Sequence, residues 1–86
     1  MPEISRFYGI VIKIYFADHS PPHFHAEYGS EEALLNIETL AVIAGNLPPR
    51  AISMVREWTS LHRDELRAAW EKAKNLRSPG KIAPLP

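Results

Sequence analysis

The sequence predicts an α+β domain, a small antiparallel sheet of three to four strands followed by one long C-terminal helix packed on one face (β-β-β-β-α). Two observations carry that prediction. Between Arg6 and Gly45, apolar residues recur with period two in short runs separated by proline and glycine. From Pro48 to Leu76 the apolar period becomes helical. Strands followed by a helix, with no internal repeat, build a two-layer domain. A chain of 86 residues has room for one such domain, over 1–86.

Arg6–Phe16 reads as the first strand, with Tyr8, Ile10, Ile12, Ile14 and Phe16 on one face and Phe7, Val11, Lys13 and Tyr15 on the other. Asp18-His19-Ser20-Pro21-Pro22 breaks it, because prolines cannot donate to a ladder. His23–Tyr28 reads as the second strand, ended by Gly29-Ser30. Glu32–Glu38 reads as the third, and Ala41–Ala44 as a short fourth, stopped by Gly45-Asn46. Pro48-Pro49 suits a helix start, where a missing N–H costs nothing. Ala51, Val55, Thr59, His62, Leu66, Ala69 and Ala73 then form one stripe, widened by Trp58 and Trp70. Thr59-Ser60 is the point where this helix could break. Asn75, Ser78, Pro79 and Gly80 stop it near residue 76, and the Pro-rich tail 77–86 is expected to lie loosely over the surface.

Composition narrows the function. Ten basic and ten acidic residues cancel, so no global basic field drives nucleic-acid binding. The halves differ: residues 1–47 carry two bases against six acids, and 48–86 carry eight against four. Without cysteine there is no disulfide, iron–sulfur cluster, thiolate metal site or cysteine nucleophile. No apolar run approaches the ~18 residues that span a bilayer, and the opening MPEISRFYG has no signal-peptide character. A cytoplasmic protein without a membrane partner is the expectation. No cofactor is the leading expectation, with a divalent metal as the alternative that the histidines offer.

The chemistry concentrates in Asp18-His19-Ser20-Pro21-Pro22-His23-Phe24-His25-Ala26-Glu27-Tyr28. Alternation along a strand puts His23, His25 and Glu27 on one face and Phe24, Ala26 and Tyr28 on the other. The apolar trio should meet the helix, which leaves the histidines on the outer face. Two histidines and a carboxylate, Glu27 or Asp18, form the ligand set of zinc or non-haem iron. A histidine pair equally serves acid–base work on RNA, because imidazole titrates near neutral pH. Solvated or strand-bridging histidines are the third reading.

His19 sits in a loop stiffened by Pro21-Pro22, and Asp18 beside it is a natural turn residue. His62, central in the helical stripe, is expected as a core histidine bonded to a backbone carbonyl. Only a twist near Pro22 would let it join His23 and His25. Arg56, Arg63, Arg67 and Lys74 line one helix flank beside Glu57, Asp64 and Glu71, an arrangement that pairs locally or offers RNA a backbone contact. Phe7, Val11 and Tyr15 make the outer face apolar, which suits a homodimer through the sheet or a small protein partner.

Met-Pro-Glu-Ile-Ser, the segment Asp18 to Gly29, and Gly45-Asn46-Leu47-Pro48-Pro49-Arg50 resemble the bacterial family called domain of unknown function 4160, over nearly the whole chain. The family carries over no catalytic residue. Its genes often neighbour those of a second small family, domain of unknown function 2442, and the resemblance therefore implies a small protein partner in a toxin–antitoxin-like pair. On that reading the chain is an interaction module whose surface holds Asp18, His19, Glu27, Tyr28 and Arg50 as binding residues. As the toxin half it would cleave RNA with His23 or His25 as the base, while Arg50 or Lys13 offsets phosphate charge. A metal-binding domain using His23, His25 and Glu27, and a non-catalytic structural partner, are the alternatives.

Overall fold

The computed structural model describes residues 3–86. Met1 and Pro2, part of the opening segment that carries the family resemblance, lie outside the described residues. Five strands come first: β1 (Glu3–Phe7), β2 (Ile10–Lys13), β3 (His23–Tyr28), β4 (Glu31–Asn36) and β5 (Val42–Gly45). Two helices follow, α1 (Pro49–Leu61) and α2 (Arg63–Lys74). The sheet is an antiparallel meander in the order β1-β2-β3-β4-β5. Its inward residues Ile10, Ile12, Phe24, Ala26, Ala33 and Leu35 join Ala51, Val55, Trp58, Leu66, Ala69 and Ala73 of the helices in one core. Among the described residues no helix is long and apolar enough to cross a membrane.

The architecture is α+β, but its details correct the expectation of three to four strands and one long helix. The run Arg6–Phe16 is not one strand. Tyr8 and Gly9 take positive φ, 49° and 83°, and fold the run into the β1–β2 hairpin. A two-residue turn with positive φ at both positions matches the twist of its strands. Phe7 pairs with Ile10 across it, so both face the same way. Phe7 is therefore buried against Trp58, with ring centroids 5.4 Å apart, and not on the outer face with Val11 and Tyr15. Tyr8 and Phe16, expected inward, are exposed.

The helical segment breaks at His62, which leaves the helix with φ −125° and serves as both the C-cap of α1 and the N-cap of α2. His62 is not a core residue. Its Nδ1 lies 2.6 Å from Glu65 Oε1, and its half-buried ring rests 5.7 Å from the indole of Trp58. The tail is not loose. Pro79, Ile82 and Leu85 are buried, the Ile82 N–H donates to the Ile4 carbonyl at 2.7 Å, and Trp58 Nε1 donates to the Ala83 carbonyl at 2.8 Å. The tail thus covers one edge of the sheet and Trp58, one of the two tryptophans of the core.

Candidate metal centre

The site is built where the loop between β2 and β3 meets the start of β3. Two backbone bonds hold that loop: the Ala17 N–H donates to the Ala73 carbonyl of α2 at 3.1 Å, and the Ile37 N–H donates to the Pro22 carbonyl at 3.0 Å. Asp18 is thereby brought over His23 and His25, whose side chains share a face of β3 as alternation requires. Asp18 Oδ2 lies 3.0 Å from His23 Nε2 and 3.5 Å from His25 Nε2. One donor atom from each of the three residues lies within 4.8 Å of the others. Ligands about 2.0–2.1 Å from a shared ion stand roughly 3.0 Å apart in an octahedron and 3.4 Å apart in a tetrahedron.

Proton bookkeeping sharpens the geometry. His23 Nδ1 sits 2.7 Å from the Pro21 carbonyl, which can only accept, so Nδ1 carries hydrogen and donates. In the neutral imidazole its Nε2 is then a lone pair, facing a carboxylate oxygen. His25 has the same arrangement: Nδ1 is 3.2 Å from Glu32 Oε2, and Nε2 faces Asp18. The two Nε2 atoms and the carboxylate oxygen converge, and either a proton on an Nε2 or a shared cation joins them. The outer hydrogen bonds, one to a carbonyl and one to a carboxylate, are those that orient metal-bound histidines.

The surroundings are apolar on one side. His23 is 7 % exposed, with its ring 5.3 Å from that of Trp70 on α2. The Tyr15 ring meets His25 edge-on at 4.3 Å. Burial alone would raise the Asp18 pKa, but the His19 N–H bond at 2.9 Å and the charges of His23 and His25 outweigh it and hold the carboxyl below its ordinary range.

Of the residues singled out from sequence, the fold brings together Asp18, His23 and His25. Glu27 stays apart, paired with Lys13 at 3.1 Å, and that pairing raises the Lys13 pKa. Lys13 is accordingly engaged with a carboxylate. His19 is exposed and contributes its backbone N–H. Tyr28 lies at the far end of β3 and lines a different cavity with Arg50. Three arginines of the basic helix flank bind the β4–β5 connection: Arg56 donates to the Leu40 carbonyl, Arg63 to the Ile37 carbonyl and Arg67 to the Glu38 carboxylate.

Sequence reasoning missed Glu32, Trp70 and Tyr15. A signal for Glu32 existed. A hairpin turning at Gly29-Ser30 pairs Glu27 with Glu32 and His25 with Leu34, which places Glu32 diagonally across from His25.

Neither a curated protein nor a solved structure matches the chain. A family profile matches residues 9–71, a span that includes Asp18, His23, His25 and Glu32 together with most of both helices. The chain belongs to the family described as domain of unknown function (DUF4160).

Proposed function

We propose that this domain binds a divalent transition metal through Asp18 Oδ2, His23 Nε2 and His25 Nε2. The observation that carries the reading is the convergence of these three atoms within 4.8 Å, two of their separations being 3.0 and 3.5 Å. Two imidazoles and one carboxylate suit zinc or iron, and three protein ligands leave coordination positions open. A metal held there would supply Lewis acidity and a water acidic enough to ionise near neutral pH. The protein's own part is orientation: Pro21 and Glu32 hold the outward-facing nitrogens as N–H donors, and Trp70 shields the His23 ring from water. RNA cleavage by a free histidine base draws less support, because Lys13 and three arginines are engaged within the domain. A small protein partner, the reading that the family resemblance raised, is compatible with a metal centre.

The test is metal analysis of untagged, natively purified protein beside thermal melts with zinc, iron(II) and nickel. One equivalent of metal per chain, or a Tm that rises with added metal, is expected, and the effect should vanish in the His23→Ala/His25→Ala double variant. Binding to the native state must raise apparent stability. A folded protein that holds no metal and melts unchanged overturns the reading.

A further inference from the structure

A cavity of about 350 Å³ opens at the end of β3 away from the metal centre. Tyr8, Tyr28, Pro48, Arg50, Ala51 and Met54 line it. At about 3.3 Å per residue, Tyr28 is roughly 16 Å along the strand from His23, so this site is separate from the metal centre. Its size and its mostly apolar wall with few polar groups are those of a small-molecule site.

Three further observations indicate what it takes. First, Tyr8 is 60 % exposed and Tyr28 is 40 % exposed, although both rings are large and partly apolar. Second, Tyr8 holds φ +49° in the first position of the β1–β2 turn. Asn or Gly fits that position best, and a tyrosine there is strained. Strain kept in an exposed aromatic residue at the mouth of a cavity is the kind that function maintains. The turn is also shaped to the second ring: a Cβ on Gly9 would come within 3.3 Å of Tyr28 Cε1. Third, no carboxylate lines the cavity. Among the described residues the side chains of Arg50 and Arg77 have neither an ion-pair nor a hydrogen-bond partner, unlike those of Arg6, Arg56, Arg63 and Arg67, and of the two only Arg50 lines the cavity.

The geometry points to a binding site for a planar aromatic ring that carries an anionic group. Tyr8 and Tyr28 offer faces for the ring, Met54 offers a polarisable wall, and Arg50 offers the cation for a carboxylate or phosphate. A nucleoside monophosphate and an aromatic carboxylate both meet that description.

The experiment is titration of the ¹⁵N-labelled protein, watched through amide shifts, with adenosine 5′-monophosphate and with 4-hydroxyphenylacetate. Adenosine and inorganic phosphate are the controls for ring and anion alone. At least one anionic aromatic should shift Gly9, Tyr28, Ala51 and Met54, and should bind at least tenfold more tightly than either control. The better of the two probes identifies which source of the chemistry fits. Arg50→Gln should weaken that probe about tenfold. Tyr8→Asn should weaken it by a similar factor while raising the Tm, because asparagine tolerates the turn that tyrosine strains. The inference is overturned if neither probe shifts these residues at millimolar concentration. It is equally overturned if adenosine or phosphate alone binds as well as the probe, or if Tyr8→Asn leaves affinity unchanged in a folded protein.

Discussion

Glu32 Oε2 lies 3.2 Å from Nδ1 of His25, so a residue of β4 decides which nitrogen of a β3 histidine faces Asp18. Replacing Glu32 by Gln keeps the shape and removes the charge. The loss of such an orienting carboxylate typically weakens metal binding 10- to 100-fold. Competition against a chromogenic chelator should give a drop of that size for Glu32→Gln, with the Tm of the metal-free protein nearly unchanged. Unchanged affinity would show that Glu32 does not orient the ligand.

The tail makes a second prediction. Ile82 and Leu85 are buried at 6 % and 8 % exposure, on the edge of the core. Truncating a buried aliphatic side chain costs about 2 kcal/mol at the low end of the usual range, which suits a site at the periphery. Ile82→Ala and Leu85→Ala should each lower the unfolding free energy by that amount, seen as a lower urea midpoint at an unchanged slope. Values within about 0.5 kcal/mol of the parent are those of ordinary surface positions and would mean that the tail rests on the surface without supporting it.

Acid should act on the link between the β4–β5 connection and α2. Arg67 donates to both oxygens of Glu38 at 2.7 and 2.6 Å, and these bonds hold the Glu38 carboxyl below its ordinary range. A carboxyl whose pKa is lowered by folding contributes its full stabilisation above its unfolded pKa. It loses that contribution as pH falls through the folded value. Glu38→Gln should therefore melt below the parent at pH 7, and the gap should close as pH falls through the carboxylate range. Because the pair is exposed, high salt should narrow the same gap. A gap that persists in acid would assign the effect to something other than this charge.

Periodicity made much of the fold legible. The helical stripe from Ala51 to Ala73 is buried wherever it carries an aliphatic residue, and β3 spans the expected residues. What escaped depends on pairings between distant residues. The Tyr8-Gly9 turn hides in an apolar run because tyrosine replaces the usual asparagine, and parity counted across it puts Phe7 on the wrong side. Alternation correctly placed His23 and His25 together. It could not decide between Glu27 and Asp18, since that depends on Lys13 claiming Glu27 across the sheet and on α2 anchoring the loop through Ala17. Ile82 and Leu85 stand singly among prolines, where no period reveals that they dock.

Each strand of the sheet pairs only with its neighbours in sequence. The five strands can therefore assemble hairpin by hairpin, with little loop entropy to overcome, and local topologies of this kind fold quickly. The metal ligands fall inside one such local unit, with Asp18 and His25 seven residues apart. The bond from Lys81 to the Glu3 carbonyl, by contrast, spans 78 residues, and the tail's closure over Trp58 must wait for everything between. The candidate centre joins the two scales: its ligands are close in sequence, but the loop that carries Asp18 is anchored on α2 through Ala17 and Ala73, so the centre is complete only once that helix has docked on the sheet.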